Sequence, residues 1–335
     1  MPTDKLLELE GLTKYFYKPM GLLGRRKQVV QSVDHVSFHI LRHETFGLVG
    51  ESGCGKSQTL RSILGLLKQP GRITGGEIRY KGADIAKMSQ RELQKIRGKE
   101  ISMIFQEPMT ALNPVLRIRS QMYEAFEGEK LSKEEKRRRA IELLKLVGIP
   151  SPETRLDEYP HQFSGGMRQR AMIAIALGAR PKLLLADEPT TALDVTIQAQ
   201  IIDLMVELKK NINASIILIT HDMGVVAEMA DYIMVMYAGK VMEYGSARQI
   251  FKEAMHPYTQ GLLASIPRLD KDLDRLFSID GTVPSLDRMP KGCRFCARCL
   301  QAMDKCREHQ PPVYITDDGH KVSCWKYENL KEEKV

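Results

Sequence analysis

The chain has 335 residues and a formal net charge of +8, from 50 Lys and Arg against 42 Asp and Glu. Apolar residues make up 43% of it and no stretch approaches the roughly 18 consecutive apolar residues of a membrane span, which excludes a chain that itself crosses the bilayer. The positive charge suits nucleic acid, nucleotides or an anionic membrane surface alike. The start, Met1-Pro2-Thr3-Asp4, lacks a secretory pattern, so we expect the protein to stay in the cytosol.

Strand-like apolar runs alternate with helical patterns from Leu6 to about residue 260, which predicts an α/β fold with a mainly parallel core sheet. The clearest runs are Thr45–Val49, Ile101–Phe105, Leu183–Ala186 and Ser215–Ile219. Each precedes a loop of polar residues, where open α/β sheets bind their ligands. Helical periodicity over about residues 115–178 predicts an inserted helical subdomain. Pro, Gly, Asp and Cys-rich sequence then predicts a C-terminal module over 266–335, after a main domain over 1–265.

A dense basic run, Glu135-Lys136-Arg137-Arg138-Arg139, lies inside the helical stretch. Ser132 and Glu135 form a capping-box pattern at its start, and apolar residues follow at Ile141, Leu144 and Leu146. The pattern predicts a helix with a solvated basic face, and a binding patch is the alternative.

A G-x-x-x-x-G-K-S motif spans Gly50 to Ser57, between a predicted strand and a helix. In such a loop, backbone N–H groups wrap a phosphate, Lys56 reaches the outer phosphates and the Ser57 hydroxyl binds magnesium. Cys54 stands at a variable position, to which we assign no chemistry beyond its place in the loop. The predicted nucleotide-binding residues of this segment are Gly50, Ser52, Gly53, Cys54, Gly55, Lys56, Ser57 and Gln58.

Two acids end the apolar run that starts at Leu183. Asp187 would hold magnesium, and Glu188 would polarise the attacking water as general base. Alone, the pair could cap a helix, but together with the phosphate loop it indicates an ATPase.

The segment from Phe163 to Arg170 reads Phe-Ser-Gly-Gly-Met-Arg-Gln-Arg and resembles the signature motif of ABC ATPases. Phe163 replaces the usual Leu, Met167 replaces the usual Gln, and a glutamine follows at Gln169. Paired glycines before a helix suit an anion such as a γ-phosphate. The resemblance implies a P-loop ATPase core with an antiparallel β subdomain. It also implies that Ser164 and Gly166 contact the ATP of a second ATPase domain, and Gly165 and Gln169 are further predicted nucleotide-binding residues of this segment.

Further residues are similar to ABC motifs in the expected order. Gln106 resembles the glutamine that senses magnesium and the transmembrane subunit, Asp194 belongs to a segment resembling the D-loop, and His221 resembles the switch histidine at the γ-phosphate. Phe16, and next to it Tyr17, stand where ABC proteins stack the adenine, although core packing explains such rings equally well. The resemblance implies that Lys56, Gln106, Glu188 and His221 are catalytic and that Ser57, Gln106 and Asp187 bind magnesium.

The tail resembles that of the dipeptide, oligopeptide and nickel permease ATPase subunits, with the dipeptide type as the closest match. The similar residues are His256 to Leu263, Ile266-Pro267, Gly292 to Phe295, Arg298-Cys299, Cys306, Pro311-Pro312 and Cys324-Trp325. The resemblance implies a second homologous ATPase, two transmembrane permease subunits, an extracellular peptide-binding protein and a place on the cytoplasmic face of the membrane. Nickel is the alternative cargo, and a soluble ABC ATPase acting on nucleic acid is the rival class, which the single phosphate loop disfavours.

Five of the six cysteines crowd the tail, at positions 293, 296, 299, 306 and 324. In a cytosolic protein such clustering indicates a metal rather than disulfides. Cys293, Cys299, Cys306 and Cys324 match the family pattern and predict a [4Fe–4S] cluster, with Zn²⁺ as the alternative and a reduced loop without metal as the third possibility. Cys296 completes a ferredoxin-like spacing whose role stays open.

Overall fold

The computed structural model describes residues 5–20, 26–67, 69–107, 111–190, 195–211, 213–266 and 278–333. Its strands are β1 (Lys5–Met20), β2 (Arg26–Leu41), β3 (Thr45–Val49), β4 (Gly71–Tyr80), β5 (Ala83–Asp84), β6 (Ile101–Ile104), β7 (Leu183–Asp187), β8 (Ser215–Ile219), β9 (Tyr232–Tyr237), β10 (Lys240–Ser246), β11 (Tyr314–Ile315), β12 (Lys321–Val322) and β13 (Lys331–Glu332). Its helices are α1 (Lys56–Ile63), α2 (Gln90–Ile96), α3 (Ile118–Glu124), α4 (Lys133–Leu146), α5 (Pro152–Arg155), α6 (Gly165–Gly178), α7 (Val195–Asn211), α8 (Met223–Met229), α9 (Ala247–Lys252), α10 (Pro257–Ala264) and α11 (Asp304–Glu308). No helix in these ranges is long and apolar enough to span a membrane.

The chain forms two compact units. The first contains Met1–Lys87 and His221–Val335, and the second contains Met88–Thr220. The C-terminal segment thus belongs to the same unit as the first strands, and the boundary at residue 265 stays a prediction.

The first unit contains two sets of paired strands. In one, β1 pairs with β2 and β4 in antiparallel register, and β5 extends β4. In the other, β3 runs parallel to β9, and β10, β12, β11 and β13 continue outward from β9 in antiparallel pairs. The α/β class is confirmed, with a mixed sheet rather than a purely parallel one in this unit.

In the second unit, three parallel strands and several helices are assembled. β7 pairs with β6 on one side and β8 on the other, and every residue of these three strands is buried. Two of the four strands predicted from apolar runs match to the residue, and the other two, β6 and β7, differ by one residue at the C-terminal end. Between residues 115 and 178, all of which are described, the regular elements are helices.

The basic run lies on α4, which begins as the capping pattern predicts. The Ser132 hydroxyl accepts from the Glu135 N–H at 3.2 Å, and the Ser132 N–H donates to the Glu135 carboxylate at 2.7 Å. Arg137 pairs with Asp157 at 3.0 Å, and Arg139 pairs with Glu129 at 2.5 Å. Acids of this unit therefore neutralise the run in part, and the exposure of its arginine side chains falls from 75% at Arg138 to 15% at Arg139.

The C-terminal segment shares a hydrophobic core with β9 and α10. The ring of Phe295 lies 5.2 Å from those of Tyr237 on β9 and Tyr258 on α10, measured between centroids. Cys293 and Cys306 are buried in the same cluster. Aromatic pairs at such distances stabilise a core beyond their buried area, so this packing attaches the segment to the unit.

Candidate functional site

The loop between β3 and α1 is held in shape by two glycines in contact with neighbouring backbone. Gly50 has a φ of 144°, and a Cβ there would lie 2.1 Å from the Met236 carbonyl oxygen. Gly55 has a φ of 107°, and a Cβ would lie 2.3 Å from the Ser32 carbonyl oxygen. Both the dihedral and the contact exclude any side chain. The result is the strand, tight loop and helix on which backbone N–H groups bind phosphate.

Lys56 is the first residue of α1 and is directed back over this loop. Its side chain is buried, and its Nζ donates to the carbonyl oxygens of Gly50 at 2.6 Å and of Glu51 at 3.1 Å. Ser57 follows it and is half-buried, whereas Ser52 and Gly53 are exposed at the loop tip. The ammonium group therefore already lies beside the backbone that would bind a phosphate.

Lys14 is a neighbour of this loop that the sequence analysis missed. Its Nζ donates to Gln58 Oε1 at 2.5 Å and lies 5.1 Å from the centroid of the Phe16 ring. Burial and the nearby Arg61 lower the pKa of Lys14 to about 8. Residues i and i+2 of a strand share a face, so the spacing of Lys14 and Phe16 could have indicated that the lysine lies beside the predicted adenine site. Lys14 thus connects the predicted adenine-stacking ring with the first turn of α1.

Tyr17, the second choice for adenine stacking, is half-buried on β1. His221 is exposed, just before Asp222, whose carboxylate caps α8 by accepting from the Gly224 N–H at 2.8 Å. The predicted D-loop residue Asp194 lies outside the described residues.

In the second unit, the two predicted catalytic acids stand at the end of β7. Asp187 is 1% exposed, and Glu188 takes a left-handed backbone conformation with a φ of 47°. The amide Nε2 of Gln106 donates to Glu188 Oε2 at 3.0 Å, and the Glu188 N–H donates to the Ile219 carbonyl at 3.0 Å. A non-glycine residue with positive φ is strained and is often functional. The structure thus brings together Gln106 and Glu188, which are 82 residues apart in sequence.

The predicted signature segment forms the start of α6. Ser164 is the exposed N-cap, and its hydroxyl accepts from the Met167 N–H at 3.2 Å. Gly165 is half-buried and Gly166 is buried at the first turn. A serine cap followed by small residues leaves room for an anion at the helix N-terminus.

Gln169 does not lie where the sequence analysis expected. It is 1% exposed, and its Nε2 donates to the Pro189 carbonyl at 2.5 Å, so its side chain is not available to a nucleotide in this structure. The physical reason is helical periodicity, because five residues after the cap the side chain faces the core of the unit. We therefore reassign Gln169 from nucleotide binding to the support of the turn that follows Glu188.

The structure does not support the predicted metal ligands Cys293, Cys299, Cys306 and Cys324. Across the described ranges, no group of three or more His, Cys, Asp or Glu side chains could hold a metal ion. Burial raises the pKa of Cys293 to about 12, and the nearby thiols of Cys306, Cys324 and Cys299 add to the rise. The thiols are therefore neighbours with suitable donor chemistry, and Cys293 and Cys306 pack into the apolar core.

Comparison with known proteins agrees with these motifs. Residues 33–191 match the model of the ABC transporter family, and residues 242–306 match that of the oligopeptide/dipeptide transporter C-terminal region. Among solved structures, a dimeric ATP-binding cassette in a post-hydrolysis state with ADP and Pi is similar, with a TM-score of 0.62 and 29% identity. The match covers 72% of this chain and 99% of that one.

Curated relatives match over almost the whole chain. The oligopeptide transport ATP-binding protein AppD of Bacillus subtilis is 51% identical, over 98% of this chain and 99% of its own. The dipeptide transport ATP-binding protein DppD of the same organism is 52% identical, over 99% and 98%. DppD of Escherichia coli is 46% identical, over 95% and 96%. The chain therefore belongs to the family of ABC transporter ATP-binding proteins, in the branch with the oligopeptide/dipeptide transporter C-terminal region.

Proposed function

We propose that this chain binds and hydrolyses ATP to power a membrane ABC importer of dipeptides or oligopeptides. The observation that carries the proposal is the identity of about half over nearly full length with relatives named for dipeptide and oligopeptide transport. The glutamate that would act as base is present and hydrogen-bonded to Gln106. The names of these relatives refer to peptides and give no support to nickel or nucleic acid.

In the proposed reaction, the loop from Gly50 to Ser57 binds the phosphates of ATP, and Phe16 stacks on the adenine. Ser57, Gln106 and Asp187 would hold a magnesium ion, since they offer the oxygen atoms that this ion prefers, and the bound ion would supply positive charge against the phosphates. Glu188 accepts the proton of the attacking water, and His221 hydrogen-bonds the γ-phosphate.

The proposed assembly contains a second, homologous ATPase and two transmembrane permease subunits on the cytoplasmic side of the membrane, supplied by an extracellular peptide-binding protein. The dimeric state of the similar cassette supports the ATPase pair. Ser164 and Gly166 of one ATPase would bind the γ-phosphate on the other, and Asp194 would belong to the D-loop. The segment around Gln106 would pass closure of the pair to the permease subunits.

Uptake measurements in cells with and without the gene test this function. We expect uptake of a radiolabelled dipeptide to fall to background without the gene, and nickel uptake to stay unchanged. Complementation by the wild-type gene should restore peptide uptake, as should Glu142→Gln, which alters an exposed carboxylate of α4 whose side chain is 66% accessible. Loss of nickel uptake with peptide uptake retained would contradict the proposal.

A finer part of the proposal concerns the cysteine segment. We propose that Cys293, Cys299, Cys306 and Cys324 bind a [4Fe–4S] cluster, with zinc as the alternative. Support comes from the donor set alone, because the described residues show no group of three or more His, Cys, Asp or Glu side chains placed to hold a metal ion. Protein purified without oxygen should contain about four irons and four sulfides per chain. Stoichiometric zinc, or no metal, would contradict the cluster and leave the ATPase function intact.

A further inference from the structure

Arg298 lies in the C-terminal segment of residues 278–333, here called the cysteine-rich segment. It forms a two-point ion pair with Glu51 in the phosphate-binding loop. Arg298 Nη1 donates to Glu51 Oε2 at 2.6 Å, and Nη2 donates to Glu51 Oε1 at 3.0 Å. The Arg298 side chain is 6% exposed and that of Glu51 is 28% exposed. Bidentate pairs of arginine and carboxylate are among the strongest hydrogen bonds in proteins and fix geometry as well as charge. Limited exposure also reduces their screening by salt.

The guanidinium of Arg298 is held in place by its own segment and by β9. Its Nε donates to the Asp280 carbonyl and its Nη2 to the Ile279 carbonyl, both at 2.9 Å, and its Nη1 donates to the Tyr237 hydroxyl at 3.3 Å. Most of the side-chain entropy of the arginine is therefore lost already to these contacts, and the pair with Glu51 costs little more. Arg298 is thus a rigid point against which the loop can be held.

Glu51 is fixed at three points. Its N–H donates to the Tyr258 hydroxyl at 2.9 Å, its carbonyl accepts from Lys56 Nζ at 3.1 Å and from the Cys54 N–H at 3.3 Å, and its carboxylate pairs with Arg298. A phosphate that takes the ammonium of Lys56 would remove the Lys56 contact. The Tyr258 and Arg298 contacts come from other parts of the unit and do not depend on Lys56, so they can hold the loop while the phosphate is bound.

We infer that Arg298 is a positioning residue for ATP: through Glu51, the cysteine-rich segment holds the phosphate-binding loop in its binding conformation. The inference rests on the proposed function, since it assumes that this loop binds ATP. It assigns the segment a role in nucleotide affinity that is independent of any metal. Arg298 itself touches no reacting atom, so its effect should be on affinity rather than on the chemical step.

The test measures ATP affinity of the full-length chain by calorimetry for the wild type and variants. Arg298→Ala should weaken ATP binding about tenfold, as expected for loss of a charged hydrogen-bonded pair. Arg298→Lys should bind ATP more tightly than Arg298→Ala because it keeps the positive charge, but less tightly than the wild type because lysine cannot form the two-point pair. Arg307→Ala, which removes an exposed arginine of the same segment, is the matched control and should bind ATP like the wild type.

A thermodynamic cycle distinguishes positioning from general stability. Glu51→Gln should also weaken ATP binding, and the double variant Glu51→Gln with Arg298→Ala should be no weaker than the weaker single variant, because both remove the same pair. A merely structural role would lower the unfolding temperature of the nucleotide-free protein and leave the ATP affinity unchanged.

The outcomes separate the two proposals. If the wild type binds ATP and Arg298→Ala binds it as tightly, this inference is overturned and the proposed function stands. If Arg298→Ala fails to fold, Glu51→Gln decides, since it leaves the cysteine segment untouched, and an unchanged affinity in that variant overturns the inference. A wild type that binds no ATP would overturn the proposed function and this inference with it.

Discussion

Replacing Glu188 with glutamine is expected to lower steady-state ATP turnover by about 100-fold or more, since general-base catalysis commonly contributes about 10² to 10⁴. Glutamine has nearly the same shape and can still accept the hydrogen bond from Gln106, but it cannot take a proton from water. ATP affinity should stay within about threefold of the wild type, because the phosphate loop is unchanged and a threefold change is well under 1 kcal/mol.

The measurement is phosphate release from the assembled transporter, together with the ATP retained on it. Because hydrolysis would no longer reopen the ATPase pair, the variant should accumulate with ATP bound. Glu142→Gln is the matched control, as it changes an exposed carboxylate of the same unit and should keep full turnover. Normal turnover in Glu188→Gln would remove this residue from the role of base.

Lys56→Met is expected to weaken ATP binding by about 100-fold, or roughly 2.7 kcal/mol. Methionine keeps most of the length and the apolar stem of lysine but loses the ammonium group. In the structure that group donates to the carbonyls of Gly50 and Glu51, which are neutral acceptors. A phosphate oxygen carries charge and is a stronger acceptor than these carbonyls. Replacing the carbonyl contacts of Lys56 by a contact with phosphate therefore favours ATP binding in the wild type, and the variant loses this gain.

Calorimetric titration with ATP and magnesium checks this expectation. Lys87→Met is the control, because Lys87 belongs to the same unit, is itself 72% exposed, and forms ion pairs with Glu77 and Asp84. Surface pairs contribute little to stability, so the control should bind ATP normally. Equal affinity in Lys56→Met and the wild type would show that the loop does not bind phosphate through this residue.

Features that depend on neighbours in sequence were predicted well. The glycine loop, Lys56 and the start of α1 follow from residues within one strand, turn and helix. The capping box at Ser132 and Glu135 is equally local, and it has the predicted hydrogen bonds. Asp187 and Glu188 at the end of β7 were also predicted, because an apolar run that ends at two carboxylates can be recognised from the sequence without knowledge of tertiary contacts.

Features that depend on distant contacts were missed or misplaced. Gln169 was assigned to the nucleotide from its place near the signature, but its amide contacts Pro189, 20 residues later. Lys14 contacts Gln58, 44 residues away, and only its spacing from Phe16 hinted at it. The cysteine spacing suggested a metal because sequence shows which donors are present and not whether their sulfur atoms converge.

The pair between Arg298 and Glu51 has a consequence for how the chain is made. Its partners are 247 residues apart, and the arginine lies near the end of the chain. At a synthesis rate of about 5–20 residues per second, the loop leaves the ribosome about 12 to 50 seconds before the arginine that holds it. A nascent or prematurely ended chain therefore carries the complete phosphate-binding motif without its distal support. Such a product should bind ATP more weakly than the finished chain, by about the factor expected for Arg298→Ala.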